Sequence, residues 1–446
     1  MPNDLLIVNC SLISEPDAPI RRQCFVEIAA GRISSTGSMS TCPAPARYTV
    51  IDATDMLLLP GLVNAHNHCA MTLFRGLADD LELTAWLNDH IFPAEAAHVS
   101  PEMVYWCTLL AAAEMIRSGT TTVADGYFFS DQAARALHDS GMRAVVAHGI
   151  VDFPAPSVPD PSKNIETVAA FLDRWHGRSP RITPAVFAHA PYTCSPQTLR
   201  RAKELADRQG VRFFIHLAET RAEQTLIIDP QGATPLQHLA GLGILDGNCV
   251  CVHGVWLDDD DLDLLADSRA AVVTCPQSNL KLAAGIARVP DLLGRGIPVA
   301  IGTDGCASNN SLDLFREIDL LAKIMKLRPL DATALPASVA LRCATASGGL
   351  VLGLPAGGTV VAGAPADLIL LDLNSPHLTP FYSTDLLVYA ATGSDVATVI
   401  IDGAVVMRDR QILSFDLTEV YRQVAPLAEE VRRFAASRRS AASLAG

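Results

Sequence analysis

The stretch PGLVNAHNH, residues 60–68, places two histidines one residue apart at the end of an apolar run. Residues i and i+2 of an extended chain project to the same face, so His66 and His68 can share one ion if the run is a β-strand. In a chain with 12 histidines, a single His-x-His pair is weak evidence. Further residues that end β-like apolar runs are His216, His253 and Asp304. This recurrence indicates a metal-dependent hydrolase, because imidazole and carboxylate are ordinary ligands of zinc-like cations.

The fold follows from the rhythm of apolar runs along the chain. Eight β-rich runs alternate with helix-compatible segments, and they cover residues 62–66, 121–125, 144–149, 182–189, 212–216, 249–253, 271–275 and 298–304. Most are continuously apolar, as is typical of strands buried on both faces of a parallel sheet. The pattern predicts a (β/α)8 barrel, in which active sites lie at the carboxyl ends of the strands. The residues expected to meet at that mouth are His66, His189, His216, His253 and Asp304.

Several motifs carry a resemblance to a known family. They are, in chain order, PGLVNAHNHCAMTLFRG (60–76), SGTTTVAD (118–125), HAPYTCS (189–195), HLAET (216–220), HG (253–254), SNLKL (278–282) and GTDGCASNN (302–310). With these motifs the chain resembles the amidohydrolase superfamily and, more narrowly, its adenosine-type deaminases acting on 5′-methylthioadenosine and S-adenosylhomocysteine. The resemblance implies an α/β fold: a TIM barrel of amidohydrolase type with a small β-sandwich domain built from both chain ends. The implied division is 1–57 and 359–446 for the β-sandwich, the latter with a C-terminal helix, and 58–358 for the barrel.

The resemblance also implies a metal site. Its ligands would be His66, His68, His216 and Asp304, holding one Zn²⁺ per subunit, although the sequence leaves Fe²⁺ and Mn²⁺ open. Zinc lowers the pKa of bound water to about 7, which provides hydroxide near neutral pH. Two-metal relatives bridge their ions with a carboxylated lysine on the fourth strand. The run 182–189 contains no lysine, which favours one metal.

Three residues are implied to be catalytic. Glu219 would protonate the ring nitrogen that gains electrons when hydroxide attacks the amidine carbon. Asp304 would take the proton from water and pass it to the departing amine, and His253 would orient the hydroxide. Taken alone, Glu219 could instead be a solvated loop carboxylate and His253 a core histidine.

Substrate contacts are implied for Glu95, His189, Glu219 and Trp86. Glu95 would accept hydrogen bonds from the two ribose hydroxyls, since a carboxylate offers two oxygens to a vicinal diol. Trp86 would supply an apolar wall. The alternatives are a surface helix residue for Glu95 and plain packing for Trp86.

Recognition of the substrate's 5′ tail is the least determined point. The loop 152–163 contains no arginine, and Lys163 is its only cation, which favours an uncharged methylthio tail over homocysteine. His148 could face the pocket or serve a structural role. Which residue meets the tail is not fixed by the sequence.

The predicted activity is therefore zinc-dependent hydrolytic deamination of an adenosine thioether at purine C6. A first alternative keeps the site but changes the substrate to guanine, a pterin or an s-triazine, as in related aminohydrolases and chlorohydrolases. A second is a non-catalytic dihydropyrimidinase-like scaffold, which the complete ligand set disfavours. The cytidine-deaminase signature, His-x-Glu followed by Pro-Cys-x-x-Cys, does not occur in the sequence.

Composition limits the cellular setting. The chain has 446 residues, which exceeds the roughly 250 of a bare barrel and leaves room for the second module. Its net charge of −14 disfavours nucleic-acid partners. We predict a cytoplasmic enzyme, because the sequence shows no targeting segment, no membrane span and no paired framework among its 11 cysteines. The resemblance further implies that the protein is a homo-oligomer, either a dimer or a tetramer.

Overall fold

The computed structural model describes residues 4–227 and 233–445. Within them the strands are β1 Leu5–Leu12, β2 Arg21–Ala29, β3 Arg32–Ser38, β4 Thr49–Asp52, β5 Met56–Pro60, β6 Leu62–Asn67, β7 Thr120–Tyr127, β8 Arg143–Ile150, β9 Ile182–Ala188, β10 Phe213–Leu217, β11 Cys249–His253, β12 Ala271–Thr274, β13 Val299–Ile301, β14 Leu368–Asp372, β15 Val396–Ile401, β16 Ala404–Arg408 and β17 Gln411–Ile412.

The α-helices in the same ranges are α1 Leu83–Ala85, α2 Phe92–His98, α3 Pro101–Arg117, α4 Ser130–Ser140, α5 Asn164–Trp175, α6 Pro196–Gln209, α7 Glu223–Leu226, α8 Pro235–Gly241, α9 Asp259–Ser268, α10 Pro276–Lys281, α11 Val289–Gly294, α12 Cys306–Asn309, α13 Leu314–Leu327, α14 Ala337–Cys343, α15 Ala346–Val351, α16 Leu386–Tyr389 and α17 Leu417–Ala445. Short 3-10 turns cover Met39–Thr41, Pro45–Arg47, Cys69–Phe74, Pro161–Lys163, Pro376–Leu378 and Gly393–Asp395, and a π-helical turn covers Trp86–Ile91.

Strands β6 to β13 form a parallel barrel in which each strand pairs with the next along the chain. Every predicted run overlaps one of these strands. The residues of β7, β8 and β11 are buried throughout, as strands covered on both faces must be. The predicted barrel is thus confirmed, and the carboxyl ends of its strands lie at one mouth.

The first and last barrel strands meet through a close backbone approach. The backbone N–H of Asp304, just after β13, donates to the carbonyl of His66 at 3.1 Å. Gly302 makes this possible, because a Cβ at that position would lie 2.8 Å from the Cβ, N and O atoms of His66. The glycine therefore brings the eighth-strand carboxylate beside the first-strand histidines.

A separate nine-stranded mixed sheet uses both ends of the described chain, with β1 to β5 from one end and β14 to β17 from the other. The two halves join where β14 pairs antiparallel with β5, from Leu368 opposite Pro60 to Asp372 opposite Met56. Its own apolar core includes Leu58, Leu370 and Ile400. This sheet confirms the small β module that the resemblance implies.

A buried ion pair joins the barrel to this sheet. Arg143, the first residue of β8, contacts Asp367 through Nε at 2.5 Å and Asp402 through a terminal nitrogen at 3.1 Å. The predicted C-terminal helix is α17, which packs against α3 and α4 through Val420. Among the described helices, none has the length and apolarity needed to cross a bilayer.

Candidate active site

Four metal-ligating side chains converge at the carboxyl ends of the barrel strands. His66 lies near the end of β6, His68 directly follows that strand, His216 lies on β10, and Asp304 follows β13. The Oδ1 atom of Asp304 is 3.4 Å from Nε2 of His66 and 3.3 Å from Nε2 of His68. Nε2 of His216 is 3.2 Å from Nε2 of His66, and all four ligand atoms lie within 4.8 Å of one another. All four residues are buried.

This group fits a single divalent cation such as zinc. Ligand atoms bound at 2.0–2.1 Å and at tetrahedral angles are separated by roughly 3.3 Å. Three of the six separations, 3.2, 3.3 and 3.4 Å, are close to that value, and all six are within 4.8 Å. Nδ1 of His68 donates to the carbonyl of Gly126 at 2.5 Å, which leaves the Nε2 lone pair for an ion.

The protonation states also suit a metal site. Burial lowers the pKa of His66 to about 4 and places the pKa of His216 well below its usual value. Burial opposes ionisation of Asp304, but the imidazoles of His66 and His68 beside Oδ1 hold the pKa of its carboxyl well below the usual range. Neutral imidazoles and an ionised carboxylate are the forms that bind a cation.

Two serines that the sequence analysis did not single out hold Asp304. Ser278 donates to Oδ2 at 2.8 Å and Ser308 donates to the same oxygen at 2.7 Å. Asp304 itself adopts a left-handed backbone with φ of 60°. A strained backbone persists only where surrounding contacts enforce it, and the two serine hydrogen bonds are such contacts. Because both serines bond Oδ2, Oδ1 is the oxygen that faces the histidines.

Glu219 and His253 lie next to each other beside the ligand group. Nε2 of His253 is 3.8 Å from Oε2 of Glu219, and both residues are buried. The Nδ1 atom of His253 is 2.9 Å from Oδ1 of Asn279, an acceptor, so Nδ1 carries the proton. Burial raises the pKa of Glu219. Burial would lower the pKa of His253, but the carboxylates of Glu219 and Asp304 raise it.

The turn that presents Glu219 is held by a second glutamate that the sequence analysis missed. The carboxylate of Glu223 accepts backbone hydrogen bonds from Ala218 at 2.7 Å, Glu219 at 2.6 Å and Thr220 at 3.2 Å. Ala218 has a left-handed φ of 51°. Glu223 therefore stabilises a conformation in which Glu219 points inward rather than into solvent.

A cavity of about 340 Å³ opens from this group. Such a volume is sufficient for a small ligand. The predicted site residues that line it are His68, Trp86, Glu95, His189, His216, Glu219, His253 and Asp304. His66 lies at its base against His68 and His216. The structure thus brings all of the predicted site residues together.

Glu95 lies on α2 and faces the cavity from inside the protein. Its Oε1 atom accepts a hydrogen bond from the hydroxyl of Tyr127 at 2.6 Å, and both side chains are buried. Burial raises the pKa of Glu95 to about 7, and the Tyr127 bond opposes that rise. The alternative of a surface position for Glu95 is therefore wrong. Trp86, on the π-helical turn before α2, is also buried.

His189 follows β9 and borders the metal group. Its ring centroid is 4.9 Å from that of His216, and its Nδ1 atom lies 2.9 Å from the hydroxyl of Thr193. His148 instead faces Ser130, whose hydroxyl lies 3.0 Å from Nδ1. His148 lines a neighbouring cavity and not the one beside the predicted metal ligands, so a structural role is favoured for this histidine.

The sequence and the structure are similar to those of several known proteins. Residues 57–406 match the model of the amidohydrolase family. A 5-methylthioadenosine/S-adenosylhomocysteine deaminase of Syntrophobacter fumaroxidans is 46% identical over 433 residues, 96% of this chain and 98% of that protein. A 5′-deoxyadenosine deaminase of Methanosarcina mazei is 41% identical, covering 96% of this chain and 98% of that protein. A crystal structure of an adenosine deaminase from Xanthomonas campestris with bound zinc superposes with a TM-score of 0.93 at 36% identity, covering 97% and 99% of the two chains.

Proposed function

The chain belongs to the amidohydrolase family, and on this premise we propose that it deaminates adenosine thioethers hydrolytically at purine C6. The products would be ammonia and the inosine derivative of 5′-methylthioadenosine or S-adenosylhomocysteine. The observation that carries the proposal is one cavity lined by Glu219, the buried Glu95 and three of the four predicted metal ligands, with the fourth, His66, packed against two of them. The names of the relatives support the same activity.

We propose one zinc ion per subunit, held by His66, His68, His216 and Asp304. The ligand spacing and the bound zinc of the Xanthomonas campestris relative support this metal. Zinc, when bound, supplies a Lewis acid that makes water nucleophilic near neutral pH. Metal analysis of purified protein by mass spectrometry should find about one zinc per chain, whereas iron or manganese in its place would correct the metal alone.

Proton transfer is assigned to the residues around that group. Glu219, whose pKa is raised by burial, is assigned to deliver a proton to the ring nitrogen of the substrate. Asp304 is ionised and can accept a proton from water and hand it to the departing amine. His253 carries its proton on Nδ1 toward Asn279, so Nε2 is available to orient the attacking water.

Substrate orientation is assigned to the wider cavity. Glu95 would accept hydrogen bonds from the ribose hydroxyls, His189 would contact the purine, and Trp86 would provide an apolar wall. The buried carboxylate favours a nucleoside over a sugarless heterocycle, because Tyr127 bonds Oε1 and the ribose hydroxyls could donate to the remaining acceptor positions.

Ammonia release from a panel of compounds tests the function. The panel contains 5′-methylthioadenosine, S-adenosylhomocysteine, adenosine, adenine, guanine, isoxanthopterin and a chlorinated triazine, the last also followed by chloride release. Deamination of the thioethers supports the proposal. If only the sugarless rings are turned over, the proposed metal site stands and the proposed substrate class is rejected. If the zinc-loaded protein turns over none of the compounds, the proposed function is rejected.

We further propose a homo-oligomeric, cytoplasmic enzyme with the division 1–57, 58–358 and 359–446. The pairing of β5 with β14 supports a sheet domain built from both chain ends. All 11 cysteines are free thiols, which agrees with a reducing compartment. Light scattering coupled to gel filtration measures the assembly state.

A further inference from the structure

The position of Glu95 locates the place where a substrate's 5′ substituent would lie. Glu95 and Phe92 are three residues apart on α2, and residues at that spacing are neighbours on one helix face, about 5–6 Å apart. Both line the cavity. In a ribose, C4′ is bonded directly to C3′, so a carboxylate that binds the 2′ and 3′ hydroxyls lies close to the start of the 5′ chain. The 5′ substituent would therefore pass the Phe92 turn.

The cavity wall at this place is apolar on both sides. The ring of Phe92 faces that of Phe153 with centroids 6.0 Å apart at 60°. The next residues, Pro154, Ala155 and Pro156, continue the same wall. Leu83 and Leu87, from the segment before α2, also line the cavity.

Phe153 lines the cavity and is 39% exposed. A partly exposed ring gains burial when an apolar group packs against its open face. This gain in burial would favour binding of a substrate with an alkylthio or methyl substituent.

The charges around the cavity oppose a charged tail. In the ranges that the structure describes, its lining includes the carboxylates of Glu95, Glu219 and Asp304 and no arginine or lysine. Lys163, the cation of the nearby loop, bonds to Glu166 at 3.1 Å and lines a neighbouring cavity instead. The carboxylate of a homocysteine tail would lose water here without gaining a cationic partner, and burying an unpaired charge is unfavourable.

We propose that Phe92, Phe153 and the segment 154–156 form an apolar subsite that selects nucleosides with a short uncharged 5′ substituent. The subsite discriminates for 5′-methylthioadenosine and 5′-deoxyadenosine and against S-adenosylhomocysteine. This inference rests on the proposed function, since it requires a nucleoside bound with its amino group at the metal end.

The first test compares kcat/KM of the zinc-loaded protein for 5′-methylthioadenosine, 5′-deoxyadenosine, adenosine and S-adenosylhomocysteine. We expect 5′-methylthioadenosine to exceed S-adenosylhomocysteine by at least about tenfold, the discrimination available to an apolar pocket. Equal or better turnover of S-adenosylhomocysteine would overturn the subsite and leave the deaminase proposal standing. Absence of turnover with every nucleoside would instead overturn the deaminase proposal.

The second test removes the exposed ring with Phe153→Ala. We expect kcat/KM for 5′-methylthioadenosine to fall about tenfold while that for adenosine, which has a small polar 5′ group, changes by less than about twofold. Tyr382→Ala is the matched control, because that aromatic ring is 85% exposed and does not line the cavity. An equal loss for both substrates in Phe153→Ala would overturn the subsite. An unchanged melting temperature verifies that the variant is folded.

Discussion

The hydrogen bond from Tyr127 to Glu95 should control ribose binding through the ionisation of the carboxylate. Burial raises the pKa of Glu95 to about 7, and Tyr127 opposes that rise by donating to Oε1 at 2.6 Å. An ionised carboxylate accepts hydrogen bonds from both ribose hydroxyls, whereas a protonated one also carries a donor. We therefore expect KM for ribonucleosides to increase as the pH falls through about 7.

Tyr127→Phe should shift this dependence upward. A hydrogen bond to a charged group contributes about 1.5–3 kcal/mol, which corresponds to roughly one to two pKa units at 1.36 kcal/mol per unit. At pH 7 the ionised fraction of Glu95 would then fall from about one half to between about 9% and 1%. KM for a ribonucleoside should rise about 5- to 50-fold. The effect on kcat should be small, because Glu95 is assigned to the sugar and not to the reacting amidine.

Steady-state kinetics between pH 6 and 9 provide the assay. Tyr105→Phe is the matched control, since the Tyr105 hydroxyl donates to Asp139 at 2.9 Å outside the cavity. Raising the pH should restore KM in Tyr127→Phe, and a 2′,3′-dideoxy analogue should show no such dependence. A normal KM at pH 7, or a rise of KM that is the same at every pH, would refute the reasoning.

Three further substitutions test the site and the fold. Glu219→Gln should retain metal and substrate binding but lower kcat by roughly 10² to 10⁴, the usual contribution of a positioned acid–base group, and near-normal kcat would exclude the acid role. His66→Ala should lose the metal, as measured by mass spectrometry, because only three of the four ligands remain. Full metal content in this variant would contradict the ligand assignment. Arg143→Met should lower the free energy of unfolding in urea by about 3–5 kcal/mol, since it leaves Asp367 buried without its partner. The exposed Arg174 is the control, and Arg174→Met should lower the free energy of unfolding by at most about 1 kcal/mol. An equally small decrease for Arg143→Met would show that the buried pair is not needed for stability.

The barrel was predictable because its strands have a composition that helices and loops seldom share. Buried parallel strands are continuously apolar, so runs such as 249–253 coincide with a strand at both boundaries. The run 298–304 was longer than the observed β13, Val299–Ile301. Its last residues leave the strand because Gly302 packs on His66 and Asp304 takes a left-handed backbone. Those features depend on closure of the barrel and are not encoded in local hydrophobicity.

The predicted metal ligands could be identified from the sequence, whereas most of the residues that hold the site's side chains in place could not. Ligands end strands and show a recognisable spacing, whereas Tyr127 supports Glu95 from 32 residues away and Asn279 supports His253 from 26. Such pairs form only when neighbouring strands and loops of the barrel come together. Glu223 is the exception, because it accepts from backbone groups three to five residues earlier, and a second glutamate four residues after Glu219 was a readable local signal.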